Sequence, residues 1–313
     1  MSEVCLVTGG AGFIGSHLVE ALTAAGRRVR VLDDLSTGVR GNLAHVQPAP
    51  EFIEGDVADP ATVKPAVAGT NVVYHLAALA SVAKSVEAPE QTHRVCATGT
   101  LNVLDAARRA GVRRVVYAAS SSAYGVPVGE VQSEADPVMA LSPYAAAKLA
   151  GELYAESFTN SLGLETVRLR FFNVYGPRQR ADSPYSGVIA LFAAALSAGR
   201  TPVVHGDGLQ SRDFVYVGDV VQALMRAAAA PGVAGRVFNV GTGRQITVLD
   251  LIATLNSLLG KSIVPQHGPA RAGDVRHSRA DISRIRKELG FEPTVAFEEG
   301  LGRTLHWLVA EKA

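Results

Sequence analysis

Thr8-Gly9-Gly10-Ala11-Gly12-Phe13-Ile14-Gly15 decides how the rest of the sequence is read. Before it stands Val4-Cys5-Leu6-Val7, a short apolar run of strand type. After it, Ile14, Leu18, Ala21, Leu22 and Ala25 recur at helical spacing as far as Gly26. The glycines therefore fall where a buried strand turns into a helix, the setting in which a glycine motif signals dinucleotide binding. Gly9 permits the tight turn. Gly12 lets backbone approach a pyrophosphate with no Cβ in the way, and Gly15 lets the helix pack close on the strand. Free N–H groups and the positive end of the helix dipole then face the phosphates. A mere tight turn could carry the same glycines, and the spacing is G-x-x-G-x-x-G rather than G-x-G-x-x-G. A second strand-like run, Val29-Arg30-Val31-Leu32, tips the balance because it ends in Asp33-Asp34. Asp33 lies 18 residues past Gly15, close to where a ribose-binding acid belongs. A carboxylate there accepts hydrogen bonds from the ribose hydroxyls and repels a 2′-phosphate, which predicts NAD in preference to NADP.

Strand and helix signals alternate through the first 170 residues. Phe52 to Gly55 reads as a third strand leading into Asp56-Val57, and Val72 to Leu76 as a fourth, followed by the small residues Ala77-Ala78. A long helical stretch runs from about Pro89 to Ala110. Arg114 to Ala118 is a fifth strand entering Ser120-Ser121-Ser122; a helix follows from Pro143 to Leu162, then a sixth strand from Glu165 to Phe171. Continuous apolar strands alternating with helices predict an α/β, Rossmann-type doubly wound parallel sheet covered on both faces. Ligands bind at the carboxyl ends of such strands. The Gly loop, Asp33, Asp56, Ala77 and Ser120 all fall at those ends and should line one crevice. Past residue 171, prolines break the pattern into shorter pieces, with short strands at Phe214–Val217 and Val237–Val240. A helix capped by Asp281 and stopped at Gly290, and a last one from about Phe297 to Ala310, frame the end. The expected organisation is a dinucleotide-binding domain over 1–170 and a smaller α/β substrate lobe over 171–313, with a return to the first domain near 236–243.

The 313 residues suit one large nucleotide-binding unit plus a smaller cap. Charge is balanced, 30 basic against 29 acidic residues, and no basic stripe or aromatic platform points to nucleic acid. No apolar run is long enough to span a membrane. The first strand begins almost at once, which leaves no room for a signal peptide and predicts a cytoplasmic protein. Cys5 and Cys96, 91 residues apart, lack metal-site spacing and fit a reducing compartment; no metal is expected.

Tyr144 and Lys148 lie four residues apart on a predicted helix, roughly 6 Å along its axis and on one face. A free tyrosine has a pKa of about 10, so its phenolate is about 4 kcal/mol out of reach at neutral pH. A nearby ammonium, helped by the positive charge of an oxidised nicotinamide, stabilises the phenolate and makes the pair a plausible general base. A surface Tyr and Lys on an alanine-rich helix would show the same spacing. Ser120-Ser121-Ser122, 22 to 24 residues upstream of Tyr144 and in the same crevice, argues against that, because a hydroxyl there can relay a proton.

These motifs in this order, with Phe172-Asn173-Val174-Tyr175-Gly176-Pro177-Arg178-Gln179, Gly206 to Phe214 and Arg271-Ala272-Gly273-Asp274-Val275-Arg276-His277-Ser278, resemble the extended short-chain dehydrogenase/reductase family over nearly the whole chain. Within it, the sequence is most similar to the UDP-hexose 4-epimerases, those of UDP-glucose and those of UDP-N-acetylglucosamine. The resemblance implies NAD as cofactor, a UDP-sugar as substrate and a homodimer built on helices of the nucleotide-binding domain. It implies that Tyr144 deprotonates the sugar 4-hydroxyl, that Lys148 tunes it and holds the nicotinamide ribose, and that Ser120 bridges Tyr144 and the sugar oxygen. The implied cofactor contacts are Gly9, Gly12, Phe13, Ile14 and Gly15; Asp33, Asp34, Ser36, Thr37 and Gly38; Asp56, Val57, Leu76, Ala77 and Ala78; and Tyr144 with Lys148. On the substrate side it implies Ser121, Ser122, Gly187 and Val188, with Asn173, Arg212 and Arg271 on the diphosphate, Asp274 on the uridine and Ser278 beside the sugar C2 substituent. Arginine forks suit phosphate oxygens better than lysines do.

Departures from the family pattern leave alternatives open. The family often has Asn-Val-x-Gly-Thr where this sequence reads Cys96-Ala97-Thr98-Gly99-Thr100, which removes a polar cofactor contact or passes it to Thr98. Arg180 stands where hexose epimerases often have Asp, a point shared with UDP-glucuronate 4-epimerases, although those have Thr at the place of Asn173. Related decarboxylases and 4,6-dehydratases carry an acid where this sequence has Ser121-Ser122-Ala123. A catalytically silent NAD-sensing protein would share the fold, and the intact Ser120, Tyr144 and Lys148 argue against it.

Overall fold

The computed structural model describes residues 3–180, 187–270 and 275–310. Six apolar runs of the first half form strands β1 (Val4–Thr8), β2 (Arg28–Asp33), β3 (Glu51–Glu54), β4 (Val72–His75), β5 (Arg114–Ser120) and β6 (Glu165–Phe171). Helices α1 (Phe13–Ala24), α2 (Pro60–Val67), α3 (Val82–Glu87), α4 (Pro89–His93), α5 (Gly99–Arg109) and α6 (Pro143–Leu162) lie between them. The later chain supplies β7 (Asn173–Tyr175), α7 (Val188–Ser197), β8 (Val203–His205), β9 (Ser211–Arg212), β10 (Phe214–Tyr216), α8 (Val217–Ala229) and β11 (Val237–Val240). It closes with β12 (Ile246–Thr247), α9 (Val248–Leu259), β13 (Gln266–Gly268), α10 (Ser283–Leu289) and α11 (Phe297–Ala310).

One seven-stranded sheet has the order β3-β2-β1-β4-β5-β6-β11, every neighbour parallel. Both faces of it are dry. Alternate residues of each strand go to opposite sides: Cys5, Val7, Tyr74 and Val116 join Leu18, Leu22 and Leu224 on one face. Leu6, Val73 and Val115 join Val63, Leu104 and Phe158 on the other. This double burial is why the strands read as unbroken apolar runs. A separate core of Tyr175, Phe214, Leu251 and Leu301 gathers α7, α9 and α11 around the two-stranded β7–β10 ladder. β11 comes from beyond residue 171 yet pairs with β6, from Val237 opposite Arg168 to Val240 opposite Phe171.

The order reverses between β1 and β4, so the loops leaving those two strands part and open a crevice at their carboxyl ends. Two local expectations are corrected. The stretch from 89 to 110 is not one α-helix: a wide five-residue turn of π type, Arg94–Thr98, separates α4 from α5. Asp281 does not cap α10, which starts at Ser283 with Ile282 at its cap position. The Asp281 carboxylate instead accepts the Ser283 N–H at 2.8 Å in a local turn, a competing arrangement that short acidic side chains favour.

Candidate active site

The β1–α1 loop is as tight as its glycines imply. Gly9 has φ +71°, and a Cβ on it would stand 2.8 Å from Ala77 N in the loop after β4. A Cβ on Gly15 would meet Gly9 O and lie 2.8 Å from Gly10 Cα, so helix and loop touch backbone to backbone. At Gly12 only Gly9 O comes near, at 3.2 Å. No other atom lies within 4 Å of that place, so it is open.

Asp33, at the end of β2, is buried and turns its carboxylate back onto the loop. Its Oδ2 accepts the Ala11 N–H and its Oδ1 the Leu35 N–H, both at 2.9 Å. Burial raises its pKa, and the two N–H donors oppose that rise. Each oxygen keeps acceptor capacity for a hydroxyl. Gly38 packs on this carboxylate, where a Cβ would fall 2.7 Å from Oδ1. Asp34 accepts the Ser36 backbone N–H and hydroxyl.

A cleft of about 480 Å³ runs from this acid to α6. It falls within the roughly 300–1,000 Å³ usual for small-molecule sites. Fifteen of the residues named above as cofactor contacts line it: Gly9, Gly12, Phe13, Ile14, Gly15, Asp33, Asp34, Ser36, Thr37, Val57, Leu76, Ala77, Ala78, Tyr144 and Lys148. Gly38 and Asp56 are off its wall. Asp56 pairs with Arg94 at 2.6 Å and accepts the Ala58 N–H. Sequence reasoning missed Asn42, whose amide donates to Ala11 O at 2.9 Å, and the small wall residues Ala118 and Ala119. It placed Arg178 only within a motif. Arg178 has φ +67° and bonds Ser16 and Glu20 of α1, a conformation no local pattern announces.

Tyr144 and Lys148 occupy the first turns of α6, which Ser142 caps by accepting the Ala145 N–H at 3.1 Å and which Gly163 ends at φ +73°. Burial drives the Tyr144 phenol up to about 12, with the Cys96 thiol adding to the rise and a hydrogen bond with Ser120 opposing it. Lys148 is buried, and its pKa is lowered by that burial, against the pull of Cys96 and Glu152. Its ammonium sits 4.3 Å above the Tyr117 ring, whose hydroxyl donates to Lys148 O at 3.1 Å. Ser120 ends β5, and its Oγ accepts from Ser122 N at 3.2 Å and from Ser122 Oγ at 2.9 Å. Tyr144 and Lys148 thus line the cleft at α6 and Asp33 lines it at β2, while Ser120, expected on the same wall, lies off it and bonds Tyr144.

Of the expected substrate residues, Asn173 lies on β7 and Arg212 on β9. Asn173 N and Nδ2 both donate to Asp213 O. Ser278 N donates to Ser211 O at 3.2 Å, and Arg212 bonds the Ser211 and Arg276 carbonyls. Gly187 and Val188 open α7, with the Gln179 amide 3.0 Å from the place of a Gly187 Cβ. Ser121 and Ser122 lie in a single 3-10 turn after Ser120. Arg271 and Asp274 lie outside the described residues. Among the described residues no cluster of His, Cys, Asp or Glu could hold a metal, and no helix is long and apolar enough to cross a membrane.

A glycine-cradled cleft at a topological switch point, with an acid at one end and a half-buried tyrosine and buried lysine beside a serine at the other, defines a dinucleotide-dependent enzyme of the short-chain dehydrogenase/reductase type. Comparison with known proteins narrows this. The chain belongs to the NAD dependent epimerase/dehydratase family, whose model matches residues 5–241. It is 43% identical over 311 residues to a UDP-glucose 4-epimerase of Mycolicibacterium smegmatis, covering 96% of this chain and 97% of that protein. A UDP-N-acetylglucosamine 4-epimerase of Methanobrevibacter ruminantium, solved with UDP-N-acetylmuramic acid, superposes with a TM-score of 0.95 at 37% identity, over 99% of this chain and 100% of that one. A UDP-glucose 4-epimerase of Thermotoga maritima, solved with UDP-glucose, gives 0.94 at 37% identity with the same coverage. NAD is the cofactor of the family, and the residues here fit it: the open position at Gly12 and the carboxylate of Asp33 are what a pyrophosphate and a ribose diol require.

Proposed function

We propose that this enzyme is a UDP-hexose 4-epimerase that interconverts UDP-glucose with UDP-galactose and UDP-N-acetylglucosamine with UDP-N-acetylgalactosamine. The observation that carries the reading is the Tyr144–Lys148–Ser120 cluster with no carboxylate in the serine turn that follows β5. Among the described residues of the cleft wall, the carboxylates are Asp33 and Asp34, both at the β2 end. Dehydration or decarboxylation calls for a further acid near the serines, and that place is Ser121-Ser122-Ala123. A base with no second acid suits a reaction that moves one proton and one hydride at a single carbon.

Residues 1–170 bind the cofactor and the lobe from 171 onward binds the UDP-sugar, the chain returning to the main sheet at 236–243. The Gly9–Gly15 loop holds the pyrophosphate, Asp33 the adenosine ribose and Lys148 the nicotinamide ribose. When bound, NAD supplies the hydride acceptor, and then the donor, for the sugar C4. Tyr144 takes the proton of the 4-hydroxyl through its phenolic oxygen, with Ser120 bridging the two oxygens. The Lys148 ammonium lowers the cost of the phenolate, which burial alone makes prohibitive. Asn173, Arg212 and Arg271 grip the diphosphate and Asp274 the uridine, so the pyranose turns freely about its link to the diphosphate. Tyr144 then returns the proton with the ring's other face presented. Exposed Leu153, Tyr154 and Leu162 on α6 suit the helix pairing of a homodimer.

A second reading rests on Arg180, which lines the cleft and would match a sugar carboxylate. Purified protein given UDP-glucose, UDP-N-acetylglucosamine and UDP-glucuronate, with no added NAD, separates the readings by product identification. Conversion of the first two is the expected result. Turnover of UDP-glucuronate alone would replace the proposal with the second reading, and bound NAD without turnover of any sugar would leave a sensor.

A further inference from the structure

His75, the last residue of β4, is fully buried and lines no part of the cleft. Its two ring nitrogens are nevertheless both engaged: Nδ1 lies 2.7 Å from Thr8 Oγ1 and Nε2 lies 3.0 Å from Thr100 Oγ1. The direction of every proton in this series follows from groups that can only donate or only accept. Cys96 O can only accept, and Thr100 Oγ1 lies 2.6 Å from it, so the single Thr100 hydroxyl proton goes there. Thr100 Oγ1 then faces His75 as an acceptor, which requires the proton on Nε2. Nδ1 is left as an acceptor and takes the Thr8 hydroxyl proton. Thr8 Oγ1, its proton spent, accepts the Ala77 N–H at 3.2 Å. The series therefore runs one way: Ala77 N–H to Thr8, Thr8 to His75, His75 to Thr100, Thr100 to Cys96 O.

Its two ends are the two halves of the site. Thr8 is the residue before Gly9, and Ala77 N is the backbone atom that a Cβ on Gly9 would meet at 2.8 Å. Cys96 belongs to the wide Arg94–Thr98 turn, a feature frequent at functional sites. The ring of Tyr117 lies between His75 and the lysine: its centroid is 5.8 Å from that of His75, and the Lys148 ammonium lies 4.3 Å from it. Burial and the charge of Lys148 both disfavour a charged imidazole, which keeps the ring in the neutral form the series needs.

We propose that His75 is a positioning residue, a neutral imidazole fixed as its Nε2–H tautomer that locks the dinucleotide-binding loop in register with the helical turn and the Tyr117–Lys148 stack beside it. The proposal rests on Lys148 acting with Tyr144 as set out above. It goes beyond that reading by assigning a function to a residue that touches neither ligand.

The test uses the purified full-length protein with its bound NAD. Nitrogen NMR of the histidine rings, with the His75 signals assigned by their loss in His75→Gln, should show a neutral ring protonated on Nε2 with a slowly exchanging proton. An Nδ1–H ring or a charged ring at neutral pH would overturn the assignment, whatever the enzyme turns over. Function is read separately. Removing either hydroxyl, in Thr8→Val or Thr100→Val, should lower both kcat and the NAD retained through gel filtration by at least about tenfold, while KM for the UDP-sugar stays within about threefold. Thr100→Ser and His75→Gln, which can restore a donor and an acceptor in series, should recover most of both. Thr100→Val with parental kcat and parental NAD content would refute the positioning role even if the tautomer is confirmed. Should the valine variants fail to fold, the serine and glutamine variants and the parental ring spectrum still decide. If no UDP-sugar is turned over by the parent, the epimerase reading fails, and the ring spectrum and NAD retention still judge this one.

Discussion

Gly12 and Gly15 are three residues apart in one motif, yet the structure assigns them separable duties. At Gly15 an added Cβ would overlap Gly9 O and come within 2.8 Å of Gly10 Cα and Gly9 C, all backbone atoms that cannot rotate away. Relief requires α1 to move off the loop. Overpacking of this kind costs about 1–3 kcal/mol, which at roughly 2–4 °C per kcal/mol lowers Tm by about 2–12 °C. At Gly12 the backbone is extended, with φ −75° and ψ −178°, which any residue adopts, and the nearest atom is a lone carbonyl oxygen at 3.2 Å. Gly12→Ala should therefore leave the cofactor-free fold within about 4 °C of the parent, since alanine at a compatible position changes stability by only about 0.4–1 kcal/mol. Its methyl group would occupy the space into which a pyrophosphate packs. NAD affinity should fall by at least about tenfold, a loss of about 1.4 kcal/mol or more. The assay pairs thermal unfolding of cofactor-stripped protein with the NAD released on denaturing protein purified without added nucleotide. Gly15→Ala should lose both quantities and Gly12→Ala only the second. Full NAD content in Gly12→Ala would refute the placement of the phosphates, and a Gly15→Ala protein with parental Tm would refute the claim that helix and loop are in backbone contact.

Tyr144→Phe keeps the ring and removes the ionisable oxygen, so epimerisation should fall by about 10²–10⁴-fold with UDP-sugar binding nearly intact by calorimetry; activity within tenfold of the parent would sink the base assignment. Because burial holds Tyr144 up to about 12, its ionised fraction grows with pH, and kcat/KM should climb between about pH 6 and 8. Lys148, whose pKa burial lowers, works against the climb once it deprotonates, so a flat profile across that range speaks against the pair. Asp33 at the cleft end should make NAD the nucleotide released by denaturation; NADP as the main species contradicts its role. Ser278→Tyr, at a half-buried position bonded to the Ser211 carbonyl, should suppress turnover of the N-acetylated pair and spare the plain pair, since overpacking penalises the larger ligand; equal losses in both pairs would remove Ser278 as the determinant of sugar size.

The sheet was legible because its strands are apolar on both faces, and Val72–His75 or Arg114–Ser120 can be nothing but interior. Helix α6 was legible to the residue, from Pro143 to Leu162, since a capping serine, a first-turn proline and a terminal glycine each state a boundary. The wide turn at Arg94–Thr98 was not. Val95, Cys96 and Ala97 are all buried, so the apolar spacing that signals a helix continues across it, and only the hydrogen-bond pattern changes. Asp281 misled for a different reason: a short acid can satisfy the N–H two residues on as readily as it caps a helix, and sequence does not say which. Asp33 was read for its ribose, while its bonds to Ala11 and Leu35 show it also builds the loop it faces. Any variant at this position therefore tests both duties together.

The sugar side was readable only through resemblance, and the structure shows why. Asn173, Arg212 and Ser278 share no helical or strand period; they meet at the carbonyls of Ser211 and Asp213, and the buried Asp213 carboxylate fastens that segment to two others. Asp213 accepts from Thr242 N and Oγ1, both at 2.7 Å, and from Gly243 N at 2.8 Å and Ala280 N at 3.1 Å. Its own carbonyl takes both Asn173 donors, and its neighbour Ser211 takes the Ser278 N–H. Two distant segments, at 242–243 and at 280, thus converge on one side chain whose burial raises its pKa and whose four donors oppose that rise. No scan of local pattern finds such a centre, because most of its bonds use a backbone group and not a residue type. The proposed cofactor half of the site is written in glycines and an acid; the proposed sugar half rests largely on contacts to main-chain carbonyls.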